Sequence, residues 1–284
     1  MKRCRYCGNE YPDDATICFI DGESLPSNDP QPALSGEQTQ GQIEAADKNA
    51  PDLTFPDYQW SARDAWKCIG MILVFEIVAF FISWPLSLHF PGLWRSGPGY
   101  FFKSILHSTI CLLVAAYFAR TESLASFWKG FGLNRKPSND VWFGVVTALI
   151  IRFFGHFMLI HGWGKGVFNY GIISFENTHG LERYFFLAPS LLLAPLFEES
   201  IYRGFLYRAF RGSYSMRVSM ALIVAWTANT HWPYYSHSLL AAFDLSMLTI
   251  VQCYLREKSD SLWDCIFCHM AFNASLLFVT ASLR

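Results

Sequence analysis

Polar and apolar positions part company near residue 61. Residues 1–60 are largely polar, whereas from Ala62 onward the chain is a series of long apolar runs separated by short basic connections. Runs of the roughly 17–25 residues needed to cross a bilayer lie near 66–88, 101–119, 140–161, 185–207, 216–232, 239–255 and 262–282. The pattern predicts an all-α polytopic membrane protein with seven or eight transmembrane helices, in a domain spanning 61–284. Residues 163–184, with Trp163, Gly164, Gly166, Gly171 and His179, read as an irregular or re-entrant connection.

Composition sharpens this reading. Hydrophobic residues make up 52% of the chain and charged residues 16%, although the first fifth is plainly polar, so the remainder is more apolar still. A net charge of −1 gives no reason to expect nucleic-acid binding. The start Met1-Lys2-Arg3-Cys4-Arg5-Tyr6 has no apolar core of a cleaved signal peptide, and the end Ala281-Ser282-Leu283-Arg284 carries no lipidation box. Basic residues alternate between connections: Arg120, Lys129, Arg135 and Lys136, then Arg208, Arg211 and Arg217, then Arg256 and Lys258 on one side, with fewer on the other. By the positive-inside rule, this predicts a multi-pass protein of the cell membrane with a cytoplasmic N-terminus. An odd number of spans would leave the C-terminus outside.

The first 25 residues carry a different signal. Cys4-x2-Cys7 followed by Cys18-x2-Asp21 offers three thiolates and a carboxylate, an acceptable tetrahedral set for Zn²⁺. The segment resembles small bacterial zinc ribbons, with Asp21 in place of the usual fourth cysteine. Residues 1–25 are therefore expected to form a zinc-ribbon module whose folding depends on the metal. Reduced, metal-bound thiols suit the cytoplasm, where the module could dock a protein partner. Residues 26–60, rich in Pro, Ser, Gly, Gln and Asp, read as a disordered linker. The other cysteines, Cys68, Cys111, Cys253, Cys265 and Cys268, read as small apolar fillers of membrane helices.

The chemistry is concentrated in Glu198-Glu199-Ser200-Ile201-Tyr202-Arg203-Gly204, embedded in an apolar run. A charge at membrane depth costs about 2.5–3.5 kcal/mol on the lenient insertion scale and tends to face a wet cavity or a protein interior. Glu199 and Arg203 stand at i and i+4 with the acid first, the better orientation for a helical pair. Glu198, about 100° around the helix, has no such partner. Glu199–Arg203 is therefore read as structural support and Glu198 as the group that does chemistry. At about 1.5 Å per residue, Glu198, His231 and His269 all lie some 15–20 Å from the same basic side. Asn273 follows His269 by one turn. A carboxylate with an imidazole can position and deprotonate water, and a second imidazole with an amide can stabilise an oxyanion. The same histidines and glutamate could instead ligate a metal. The His-Glu-x-x-His signature of metalloproteases is missing, which favours the glutamate-activated water. Glu76, His107, Arg152, His156, Asp244 and Gln252 are further polar groups within spans, read as paired or helix-ending and given no role.

Glu198-Glu199-x3-Arg203-Gly204-Phe205-Leu206, then His231, then Ser261-Leu262-Trp263 leading into His269-x3-Asn273, resemble the CPBP family over residues 185–283. That family includes type II CAAX prenyl endopeptidases and bacteriocin-processing or immunity proteins. The resemblance implies an intramembrane endopeptidase in which Glu198 and His231 activate water while His269 and Asn273 stabilise the oxyanion. Its substrate would be a hydrophobic peptide or a lipid-linked protein at the bilayer. The alternative is a membrane scaffold or immunity protein that binds a partner without cutting it. In one respect the sequence departs from the family, which usually has an aromatic residue four positions before the first histidine; here that position is Thr227.

Overall fold

The computed structural model of the chain describes residues 2–3, 10–16, 25, 60–90, 92, 96–161, 181–232 and 239–282. The expected zinc ligands Cys4, Cys7, Cys18 and Asp21, residues 26–59 of the linker and 163–180 of the irregular connection lie outside the described residues, while 181–184 of that connection are helical. At the N-terminus, β1 (Lys2–Arg3) pairs antiparallel with β2 (Glu10–Tyr11), Lys2 opposite Tyr11 and Arg3 opposite Glu10.

Beyond these two short strands, the described structure is helical. Helix α1 is Ala62–His89, α2 Gly97–Phe118, α3 Leu124–Phe131 and α4 Asp140–Ile160. The rod α5 runs over 181–211 as five consecutive segments: α-helix Leu181–Ala188, π-helix Pro189–Leu193, α-helix Ala194–Glu199, π-helix Ser200–Leu206 and α-helix Tyr207–Arg211. Helices α6 (Met216–Thr230), α7 (Leu239–Ser259) and α8 (Leu262–Ser282) complete the bundle. Every predicted apolar run is helical over most of its length, those at 101–119, 140–161 and 216–232 passing the helix end by one or two residues. The helices α1, α2, α5 and α7 extend beyond the apolar run at one end or both, because their ends are polar and capped and carry no hydropathy signal. Ser61 and Asp64, for example, form a capping box at the start of α1. Among the described residues, α1, α2, Asp140–Met158 of α4, and α7 are long and apolar enough to cross a membrane.

Helix α3 falls in what reads from sequence as a basic connection. Its eight residues are capped by Ser123, whose side chain accepts from Ser126 N, and by Gly132 at φ +77°. It folds back so that Phe131, fully buried, stacks beside Phe205 of α5. A Cβ on Gly204 would lie 2.7 Å from the Phe131 ring, so the glycine after Arg203 is required by this contact.

The basic connections meet at one end of the bundle. Arg256, buried, donates to the carbonyls of Phe131 at 3.0 Å, Arg203 at 3.3 Å and Asp260. Arg208 pairs with Asp260, Arg211 with Glu257, and Lys258 with Asp140 at 2.6 Å. The ends of α3 and α7 and the C-terminal part of α5 are thereby bound together, and the orphan carbonyl of Phe131 at the end of α3 gains a donor.

Two apolar clusters flank α5. One joins α1, α2, α3, α5 and α6 around Phe205, Phe210, Phe131 and Ile223 and reaches Cys253 of α7 and Ile266 of α8; the other joins α4, α7 and α8 around Leu248, Leu255, Cys268 and Phe272. Gly144 lets α4 approach closely, since a Cβ there would stand 2.6 Å from Leu255, in keeping with small residues at membrane helix interfaces. Cys265 and Cys268 are buried fillers whose thiols reach the carbonyls of Gln252 and Gly144. Arg152 and Asp244, buried on α4 and α7, stand 4.0 Å apart.

Candidate active site

The two glutamates of α5 diverge sharply. Glu199 is fully buried and its Oε1 accepts from Arg203 Nη1 at 3.2 Å, Gln252 Nε2 at 2.8 Å and His269 Nδ1 at 2.8 Å. It thus draws α5, α7 and α8 together through one oxygen. A carboxylate with a guanidinium and two further donors is the kind of compensation that a buried charge requires. Glu198 turns the other way, with about a quarter of its side chain exposed, and its Oε2 lies 3.8 Å from His231 Nε2.

The positions of these side chains follow from the local backbone. π-helical segments, rare and often found at functional sites, bracket the α-helical segment that ends in Glu198-Glu199. Within the first of them, Ala194 N–H bonds to Pro189 O, five residues back. The next donor in that register would be Pro195, which has no N–H, so Ser190 O lacks its helical partner. Asn273 Nδ2 supplies one, donating to Ser190 O at 2.8 Å. The amide of Asn273 keeps a second N–H for another acceptor.

His231 ends α6. Its Nδ1 lies 3.0 Å from Thr227 O and 3.1 Å from Thr230 Oγ1. A carbonyl can only accept, so Nδ1 carries a proton, and in the neutral ring Nε2 presents a lone pair toward Glu198. Thr227, where the CPBP pattern usually has an aromatic, thus holds the histidine through its backbone, and its own side chain is buried. Two acceptors 3.8 Å apart are compatible with one donor shared between them. A water about 2.8 Å from each would see them at an angle of roughly 85°, close enough to tetrahedral for its two protons to serve both.

Glu198 borders a cavity of about 260 Å³ between α2 and α5. Tyr100, Lys103 and His107 line it from α2, and Pro189, Ser190 and Glu198 from α5. Of the residues expected from sequence, Glu198 and His231 form one pair, and Glu199, Arg203 and His269 form a second cluster. Asn273 reaches the cavity wall at Ser190. All of them converge on residues 190–203 of α5. Sequence reasoning assigned Gln252 no role, although a lone amide in an apolar helix is itself a signal of a polar partner. The α2 wall had no local signal beyond Lys103 and His107, because its proximity to Glu198 depends on packing.

The family model described as type II CAAX prenyl endopeptidase, Rce1-like, matches residues 180–275. The match spans α5 to α8 and supports the CPBP family and a protease of the membrane. No curated protein and no solved structure matches the chain.

Proposed function

We propose that the chain is an intramembrane endopeptidase in which Glu198 and His231 activate the attacking water. The observation that carries this reading is the 3.8 Å approach of Glu198 Oε2 to His231 Nε2 beside a cavity, with the histidine tautomer set by Thr227 O. Glu198 takes a proton from the water as its oxygen attacks the carbonyl carbon. The same proton passes to the leaving nitrogen as the C–N bond breaks. General-base assistance of this kind contributes about 10²–10⁴-fold.

The oxyanion falls to His269 and Asn273. Because Nδ1 of His269 already donates to Glu199, donation from Nε2 requires the doubly protonated ring. The same Glu199 oxygen accepts from that ring and from Arg203, so one carboxylate is shared between the two donors. Asn273 contributes its second amide N–H, the first being committed to Ser190 O. The substrate in this reading is a hydrophobic peptide or a lipid-linked protein that enters between α2 and α5, with CAAX-type or bacteriocin-type processing as the class.

The N-terminus lies in the cytoplasm of a cell-membrane protein, as the clustering of basic connections at one end favours. Zn²⁺ is held by Cys4, Cys7, Cys18 and Asp21. The pairing of β1 with β2, which brackets Cys4 and Cys7, and the bond from Leu25 N to Thr16 O at 2.9 Å, which brackets Cys18 and Asp21, support such a module.

The decisive experiment measures peptide cleavage by protein reconstituted in lipid vesicles. Glu198→Gln should abolish turnover while leaving the melting temperature unchanged. Full turnover in that variant overturns the mechanism, and an immunity phenotype that survives it favours the non-proteolytic scaffold.

A further inference from the structure

The buried face of α1 stops short. Its buried residues are Ala62, Asp64, Ala65, Cys68, Ile69 and Ile72, and none follows. Beyond Ile72 its large apolar side chains are mostly exposed, among them Val74, Ile77 and Val78. At the boundary stands Glu76, near the middle of the helix, whose carboxylate contacts His107 Nε2 of α2. The same nitrogen lies 3.9 Å from Cys111 Sγ. A carboxylate oxygen, an imidazole nitrogen and a thiol sulfur thus converge on one point, all within 4.8 Å of one another. His107 and Cys111 are i and i+4 on one helix face, and Glu76 reaches them from the opposing helix.

We infer that Glu76, His107 and Cys111 form a site for a zinc-type divalent cation that clips α1 to α2 at membrane mid-depth. The donor set is suitable: thiolate, imidazole and carboxylate are the three zinc ligands of proteins, and three of them with an open fourth position is a common arrangement. Ligand atoms around tetrahedral zinc lie about 3.3–3.6 Å apart, so closure needs the Glu76 oxygen and His107 nitrogen, in direct contact here, to part to that spacing while the Cys111 sulfur, 3.9 Å from the nitrogen, draws in. Charge balance favours the same ion. Binding releases the Cys111 thiol proton, and a divalent cation with one thiolate, one carboxylate and a neutral imidazole is neutral overall, which avoids the cost of net charge at membrane depth. Because His107 lines the cavity that Glu198 borders, solvent from that cavity can fill the fourth position. The clip holds α1 against the α2 wall just where apolar packing between the helices ends.

The test uses full-length protein with Cys4→Ser, Cys7→Ser and Cys18→Ser, so that any metal of the N-terminal module is removed. This protein, purified in detergent with Zn²⁺ supplied and then dialysed, should retain about one zinc per chain. His107→Ala or Cys111→Ser in the same background should lower that more than tenfold. Cobalt loading of the background protein should produce a thiolate-to-cobalt charge-transfer band, a readout that needs no further substitution within the membrane. Zinc content below a tenth of an equivalent in the background protein, zinc undiminished by both substitutions, or cobalt bound without the band overturns the site. Glu198→Gln should leave zinc content unchanged, so loss of the peptidase reading and loss of this site are separate outcomes.

Discussion

Glu199 Oε1 stands 2.8 Å from His269 Nδ1, and this bond makes one residue of the buried ion pair the anchor of a histidine proposed to act on substrate. Neutralising Glu199 therefore has two consequences. Glu199→Gln leaves Arg203, which is buried, without its counter-charge, and breaking one side of a buried pair costs about 3–5 kcal/mol. The expected result is a strongly lowered melting temperature in detergent and poor yield. Arg203→Met should behave similarly, and the double variant Glu199→Gln/Arg203→Met should lose less than the sum of the two, because the partners share one interaction.

Glu198 should separate cleanly from this behaviour. Its side chain is partly exposed and it has no buried ion pair of the Glu199–Arg203 kind, only His231 at 3.8 Å, so little stability depends on it. Glu198→Gln and His231→Ala should each reduce cleavage by about 10²-fold or more with melting temperatures close to wild type. A large fall in stability for Glu198→Gln would place it with the buried pair instead.

Asn273 bonds Ser190 O and is proposed to serve the oxyanion, and a double variant can part the two. Asn273→Ala removes the amide that donates to Ser190 O, a hydrogen bond worth about 0.5–1.5 kcal/mol net, and it removes the proposed oxyanion donor. Pro195→Ala restores a backbone N–H in the register of Ser190 O. In the Pro195→Ala background, Asn273→Ala should cost much less thermal stability while cleavage stays low. If cleavage recovers together with stability, the amide serves the backbone alone.

Gly204→Ala should destabilise by about 1–3 kcal/mol through overpacking, since the new methyl would meet Phe131 at 2.7 Å. Phe131→Leu in the same chain should recover part of the loss, measured by thermal unfolding in detergent. Unaltered stability of Gly204→Ala would show that α3 moves aside freely.

The sequence by itself determined the number and placement of the long apolar runs, because burial in lipid demands a length that hydropathy reveals. It also determined the Glu199–Arg203 pair, because one helical turn is a local relation. The α-helix assumed for that turn is in fact π-helical from Ser200 to Leu206, which no local preference announces. Only the tertiary structure decided that Gln252 and His269 share an oxygen of Glu199, that Asn273 satisfies a carbonyl stranded by Pro195, and that His107 shares a cavity with Glu198. Each of these joins residues dozens of positions apart, on helices whose relative rotation is set by packing at places such as Gly144 and Gly204. Separation along a helix was legible along the chain because rise per residue is constant. Facing was not, because the side a helix turns inward depends on its neighbours.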